Sequence, residues 1–460
     1  MKELLPEELL DDLEGIKGFN RQNFKQAHFS GQQIISIRFN AEKLKRFTLT
    51  DKITHSEFDL AQQVPWCEYG FYLKERPVFT FDPLLHAGAY YVQEASSMFL
   101  YEVLKQTCDD TNKRVLDLCA APGGKSSLLT SYFKNSLLIS NEAINQRANI
   151  LYENLTKWGS PNVVITNNDA ADFKHLENYF DVIVVDAPCS GSGLFRKDAE
   201  AINEWSIKNV HLCNQRQQRI LADVYAALKQ DGILIYSTCS YSKEENEDIL
   251  DWLKNNFDVD TVQLKLKEEW AIVETQSKLH KAYGYRFWPD KVKGEGFFIA
   301  AFKKNDGGLS NYKSRKFFLN KVSNNDTEIV LDYIDENDWL IFRHKENIRV
   351  INNNWRNDIL IFQEKMHIRK AGINLGEIMQ HELIPHHELA LSTIIKDTVQ
   401  KAKLTKEEAL QYLRKREIND SNKYKGWVLS TYKNYPLGWL KFLHNRVNNY
   451  YPINWRILKD

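Results

Sequence analysis

Residues 113–125 read KRVLDLCAAPGGK. Val115, Leu116 and Leu118 make a short apolar strand with one acid, Asp117, near its end. An Ala-Pro-Gly-Gly turn follows, and a helix opens at Lys125-Ser126-Ser127. Strand, glycine turn and helix start together form the first βα unit of a nucleotide-binding sheet. The glycines let a ligand approach the backbone, and the helix N-terminus offers free amides. Taken alone, the stretch also reads as an ordinary βα turn with a proline in it.

Downstream the chain alternates strand and helix. LLIS at 137–140 precedes a helix over 145–158, then come VVIT at 163–166, DVIVVDAP at 181–188, a long helix over 206–228 and GILIYSTCS at 232–240. Such alternation predicts a parallel, doubly wound α/β sheet. FWPDKVKGEGFFIAAFKK at 287–304 reads as a final strand pair closing its edge. Acids follow three successive strands: Glu142, Asp169 and Asp186. Strand ends in such a sheet face the ligand crevice, where an acid after the second strand hydrogen-bonds a ribose and Asp169 can accept from an adenine amine. One strand-end acid is commonly only a helix cap; three in register point to a cofactor.

Two cysteine motifs lie on the same strand ends. DAPCSGSG at 186–193 sets an acid, a proline turn and a thiol ahead of a glycine loop, and STCS at 237–240 ends the neighbouring strand. Cys189 and Cys239 are therefore expected to face one crevice. A thiolate is a strong nucleophile, and electropositive surroundings depress a thiol's pKa. Either cysteine alone reads as a small buried hydrophobe; a pair beside a carboxylate at a cofactor site reads as chemistry.

The flanks are less regular. Residues 5–16 (LPEELLDDLEGI) and 21–28 read as helices, and IISIRFN at 34–40 as a strand with Arg38 exposed between apolar neighbours. FDPLLHAGAYYVQEASSMF at 81–99 puts two tyrosines, a Gln-Glu pair and two serines just upstream of the cofactor strand, either packing or lining the site. KKNDGGLSNYKSRK at 303–316 is the clearest linker, with strand-like TEIVLDYI (327–334) and WLIFR (339–343) beyond it. In the tail, LTKEEALQYLRKR reads as a helix with Thr405 as N-cap and Glu408 three residues on, followed by the strands GWVLSTY and GWLKFL.

At 460 residues, 43% apolar and 27% charged, the composition is that of a soluble globular protein of two or three domains. No apolar run reaches membrane-spanning length, and the acidic start MKELLPEELLDDLEG is unlike a signal peptide. Six cysteines without paired or zinc-ligand spacing indicate a reducing compartment and no metal. A cytoplasmic monomer without membrane contact is expected. The 61 basic and 61 acidic residues balance, yet residues 385–460 carry 14 Lys/Arg against 7 Asp/Glu. That excess is the chain's electrostatic footprint for a polyanion.

CAAPGGK, DAPCSGSG and STCS, in this order and spacing, resemble the Sun-type RNA cytosine-5 methyltransferase family, as do HAGAYYVQEASSM and WPDKVKGEGFF. EEALQYL, GWVLSTYKNYPLGWLK and NNYYPINWR are similar to the tail of its bacterial small-subunit (16S) rRNA methyltransferase F branch. The resemblance implies a Rossmann-like class I methyltransferase sheet over 81–305. Around it would stand an α/β N-terminal extension (1–80), a linker (306–325), an intermediate region (326–384) and an α+β PUA-like RNA-binding domain (385–460). It also implies S-adenosylmethionine held by Cys119, Ala120, Ala121, Pro122, Gly123, Gly124 and Lys125. Glu142, Asp169 and Asp186 would contact the cofactor or the target base.

By the same resemblance Cys239 attacks carbon 6 of a cytosine, Asp186 hydrogen-bonds N3 of the ring, and Cys189 assists loss of the carbon-5 proton and enzyme release. Tyr90, Tyr91 or Phe195 would stack on the flipped base, and Arg147 either holds Glu142 or is solvated. The implied partner is ribosomal RNA or the small ribosomal subunit. The same chemistry on tRNA, a non-catalytic RNA-binding assembly factor and a small-molecule methyltransferase stand as alternatives.

Overall fold

The computed structural model describes residues 5–47, 59–198, 200–308, 312, 319–418 and 424–459. Its centre is the strand read first. β1 (Arg114–Asp117) leads through the glycine turn into α1 (Gly124–Tyr132), and β2 (Leu137–Asn141) into α2 (Asn145–Trp158). β3 (Val163–Thr166), β4 (Phe180–Asp186), α3 (Ile207–Tyr225), β5 (Leu228–Thr238) and β6 (Phe297–Lys304) follow. β1 pairs in parallel with β2 on one side and β4 on the other, while β3 lies beyond β2 and β5 beyond β4. The chain thus winds outward from β1 and returns past it. That reversal leaves a crevice at the C-terminal ends of β1 and β4, where ligands of such sheets bind.

Both faces of these strands are covered, which is why they are apolar throughout rather than alternating. On one face Leu116 and Ile183 pack with Ile220, Leu221 and Val224 of α3. On the other, Val115, Val184 and Ile235 pack with Leu128 and Leu129 of α1 and Leu151 and Leu155 of α2. β6 joins β5 antiparallel, and Tyr283–Phe287 and Val273–Gln276 continue that edge. The expected strand pair over 287–304 is thus one strand beside an earlier neighbour. At the opposite edge β7 (Ile368–Ala371), from far along the chain, pairs antiparallel with β3.

Three smaller sheets complete the described residues, and two expectations change there. Ser36–Phe39 is a strand, but Arg38 is 2% exposed rather than solvated. α1 docks against it: Arg38 donates to Ser127 Oγ at 2.6 Å and Gln93 Oε1 at 2.8 Å, with its guanidinium 4.6 Å from the Trp158 ring centroid. Burial pushes its pKa down to about 10. The strand-like TEIVLDYI instead begins in a helix, Asn324–Leu331, capped by Ser323 accepting from the Asp326 amide. Its β-branched residues matter less than the cap and the burial of Val330 on the helix's inner face; Ile334, beyond the helix end, is buried in a bridge to Ile395. Of the linker, Lys303 and Lys304 still belong to β6, and residues 309–311 and 313–318 lie outside the described residues.

In the tail, Thr405 and Glu408 form the expected capping box over Lys406–Leu413. Gly426–Tyr432 and Tyr435–Phe442 pair antiparallel, with Lys401–Lys403 parallel to the first. A buried ion pair, Lys370 with Glu388, joins β7 to the helix His387–Leu391 that packs on Tyr435–Phe442. No described helix is long and apolar enough to cross a membrane.

Candidate active site

A cavity of about 450 Å³ opens where β1, β4 and β5 end. Its floor is the turn read first: Cys119, Ala120, Ala121, Pro122, Gly124 and Lys125 all line it. Gly123, behind the lining, takes φ 113° to swing the chain into α1, a conformation a side chain would strain. Lys125 reaches across the sheet to Asp186, Nζ to Oδ2 at 2.7 Å. The other oxygen of Asp186 accepts from Ser237 Oγ at 2.7 Å, its register partner on β5. Asp186 is thereby fixed from both neighbouring strands with its free edge to the cavity.

The two thiols meet, but only one of them faces the crevice that both were expected to face. Cys239 lines the cavity, and Cys189 Sγ lies 3.0 Å behind it, outside the lining. The hydrogen bond to Cys239, then burial, raise the Cys189 pKa well above the usual thiol range. The loops touch because Gly193 has no side chain: a Cβ there would stand 2.6 Å from the Cys239 carbonyl oxygen, which accepts from the Gly193 amide at 2.8 Å. Beneath them Glu245, 0% exposed, gathers both loops. Its Oε1 accepts from the Ser190 amide at 2.8 Å and Gln217 Nε2 at 3.0 Å; its Oε2 accepts from the hydroxyls of Ser190 and Ser240.

Of the other expected residues, Arg147 lines the cavity, while Glu142 and Asp169 fall around it rather than in its wall. Glu142 is buried at the end of β2, accepting from the Ile144 amide at 2.9 Å. Arg147 holds it at 3.4 Å while donating to the Ala121 carbonyl at 2.8 Å, so Arg147 does engage Glu142 while remaining partly exposed. Asp169 caps a short helix through the Ala171 amide at 3.1 Å and pairs with Arg219 at 3.1 Å. Of the three aromatic candidates only Tyr91 lines the cavity. Tyr90 is 2% exposed and donates to Asp82, and Phe195 packs with Trp205, Tyr241 and Trp288, so neither can stack on a base there. The 81–99 segment does reach the site, through Tyr91, Val92, Gln93, Glu94 and Ser97.

Sequence reasoning missed Glu245, Phe297 and Leu194. Glu245 sits in SKEENED, which reads as a solvated charge run; the one available signal is its place five residues after Ser240 at a strand end. Phe297 lines the cavity and stands 5.2 Å from Lys125 Nζ. Leu194 lines it too and stays 37% exposed.

The residues present suit an adenosyl cofactor. Two buried carboxylate oxygens at adjacent strand ends, Asp117 Oδ1 and Glu142 Oε2, accept no hydrogen bond from the protein, and a ribose brings hydroxyl donors. Burial pushes Asp117 up to about 7, despite the hydroxyl of Ser126 on its other oxygen. The thiol of Cys239 over the same cavity can serve a methyl acceptor whose carbon needs covalent activation. The chain is therefore of the S-adenosylmethionine-dependent methyltransferase class.

Comparison narrows the class. Residues 103–303 match the family described as 16S rRNA methyltransferase RsmB/F. Residues 5–95 match the N-terminal domain of 16S rRNA methyltransferase RsmF, and 399–457 the RsmF PUA domain. Ribosomal RNA small subunit methyltransferase F of Psychromonas ingrahamii is 32% identical over 449 residues, spanning 88% of this chain and 89% of that one. Its counterpart in Shewanella piezotolerans is 30% identical over 440 residues, spanning 91% and 90%. Among solved structures, a methyltransferase homolog from Pyrococcus horikoshii is 28% identical with a TM-score of 0.52, covering 65% of this chain and 100% of that one. NSun6 from the same organism, solved with SFG, shares the fold at 18% identity and a TM-score of 0.55, covering 65% and 98%. The chain belongs to the RsmB/F family of 16S rRNA methyltransferases, in its RsmF branch.

Proposed function

We propose that this enzyme transfers a methyl group from S-adenosylmethionine to carbon 5 of a cytosine in small-subunit (16S) rRNA, through a covalent bond between Cys239 and the base. The observation that carries the residue roles is the asymmetry of the thiols: Cys239 lines the cavity, whereas Cys189 lies behind it, outside the lining. Cys239 Sγ adds to carbon 6 of a cytosine turned out of its stack. Asp186, fixed by Lys125 and Ser237, shares a proton with ring N3 and offsets the charge that develops there. The cofactor, when bound, supplies an electrophilic methyl group for carbon 5. Cys119 to Lys125 would hold it together with Glu142, Asp169 and Asp186. Cys189 then assists removal of the carbon-5 proton, and Cys239 leaves carbon 6.

Residues 81–305 carry this chemistry and 385–460 bind RNA, a division supported by the family matches and the basic excess of the tail. Six unpaired cysteines fit a reducing cytoplasm. The scattered exposed apolar side chains favour a monomer.

The test is denaturing electrophoresis of Cys189→Ala and Cys239→Ala with cofactor and either small-subunit rRNA or tRNA. Cys189→Ala should accumulate a covalent adduct with rRNA, and Cys239→Ala should form none and transfer no methyl. An adduct that depends on Cys189 reverses the roles; one formed on tRNA alone moves the substrate.

A further inference from the structure

Residues 304–398 lie between the family matches, and they build a second cleft, of about 220 Å³, against β7. Its polar lining is Arg349, Arg369, Lys370, His344 and Gln363, with no carboxylate. Lys370 is neutralised by Glu388. Arg349 also feels the charge of Glu388 without touching it; among the described residues neither arginine has a carboxylate within ion-pair distance, and their hydrogen-bond acceptors are neutral. Arg369 donates to Asn145 Oδ1 at 2.7 Å and Asn149 Oδ1 at 2.6 Å, and Arg349 to the Ala371 carbonyl at 3.3 Å. Burial, then the charges of Arg349 and Lys345, lower the pKa of His344.

The cleft is tied to the cofactor end of the sheet. The His367 amide donates to Asn168 Oδ1 at 3.0 Å, and its carbonyl accepts from the Asn167 amide at 3.0 Å, in the loop that carries Asp169. Arg369 grips the first turns of α2, whose Arg147 holds Glu142. Through Lys370 and Glu388 it also adjoins the basic C-terminal region.

We infer that this cleft docks a backbone phosphate of the RNA substrate, using the guanidinium groups of Arg349 and Arg369; the inference rests on the reading that the enzyme works on rRNA. Two half-buried guanidinium forks with no carboxylate in direct contact match phosphate oxygens in geometry and charge. Such a contact sets where the RNA lies and carries no sequence information. It lies on the part of the chain that joins catalytic sheet and C-terminal domain, so one RNA strand held by both has a fixed point between them.

The experiment measures binding of full-length enzyme to small-subunit rRNA over a series of salt concentrations, for wild type, Arg369→Gln, Arg349→Gln and the two lysine replacements. Each lost phosphate contact should lower the slope of log affinity against log salt by roughly 0.7–0.9 and weaken binding about fivefold near 0.15 M salt. The lysine replacements should retain most of the slope. An unchanged slope in both glutamine variants overturns the proposal, as does weaker binding with the wild-type slope, which marks a structural defect. Titration with inorganic phosphate alone separates the sources: micromolar binding lost in Arg369→Gln makes this a free-anion site and overturns the RNA assignment. Failure of wild type to methylate rRNA at all would strike the substrate reading instead, and the two failures are read separately.

Discussion

Glu245 gives a sharp test of how the two cysteine loops are held. Glu245→Ala removes a carboxylate that is 0% exposed and takes four hydrogen bonds from Ser190, Ser240 and Gln217. The hydroxyls of Ser190 and Ser240 lie 3.2 Å apart and can satisfy each other. The Ser190 amide and one Gln217 N–H cannot. Two buried donors left unpaired cost about 1–3 kcal/mol each, and water entering the small void returns part of that. We expect a net loss of about 2–4 kcal/mol in urea denaturation.

Because both thiols ride on the loops that Glu245 joins, adduct formation should slow by about 10²-fold, the scale of a 1 Å misplacement. Glu245→Gln is the control. Its carbonyl can serve the Ser190 amide and Gln217 while its amide donates to the two hydroxyls, which turn to accept. Stability and rate should stay near wild type. Burial raises the folded-state pKa of Glu245, against its hydrogen bonds. A raised pKa contributes stability that is full below the ordinary glutamate range and lost as pH rises through the folded value. The glutamine variant should lack that pH slope. If Ala behaves as wild type, or Gln as badly as Ala, the hydrogen-bond account is refuted.

Two further perturbations follow from buried charge. His28 and His86 are pushed down to about 4, chiefly by burial, so both fold neutral. Their depressed values mean stability is full above the unfolded pKa near 6.5 and declines as pH falls towards 4, by up to roughly 3 kcal/mol each; in urea midpoints, His28→Gln should flatten that decline. Against the upward push of burial, Lys370 and Arg349 keep Glu388 ionised at the joint between β7 and the C-terminal region. Lys370→Met should cost about 3–5 kcal/mol by leaving that charge unpaired, and adding Glu388→Gln should recover part of the loss, as thermal unfolding would show.

The sequence by itself determined the central sheet, because its signals are local. Val115, Val163 and Ile183 stand in short apolar runs between turn residues, and those runs became strands in the expected parallel order. The glycine turn, the Thr405 cap and the placement of Cys189 and Cys239 at adjacent strand ends were legible for the same reason: each depends on a few neighbouring residues and on the strand-end rule. Tertiary structure decided what depends on residues distant in the chain. Arg38 is buried because α1 docks on it, and Tyr90 and Phe195 are excluded from the cavity by packing that no periodicity announces. β7 reaches the central sheet from about 200 residues beyond its partner β3. Glu245 looks like surface charge until two loops fold over it. Which thiol faces the cavity was likewise settled only by folding, since both cysteines follow similar strands and the depth of each behind the wall is set by the loops packed around them.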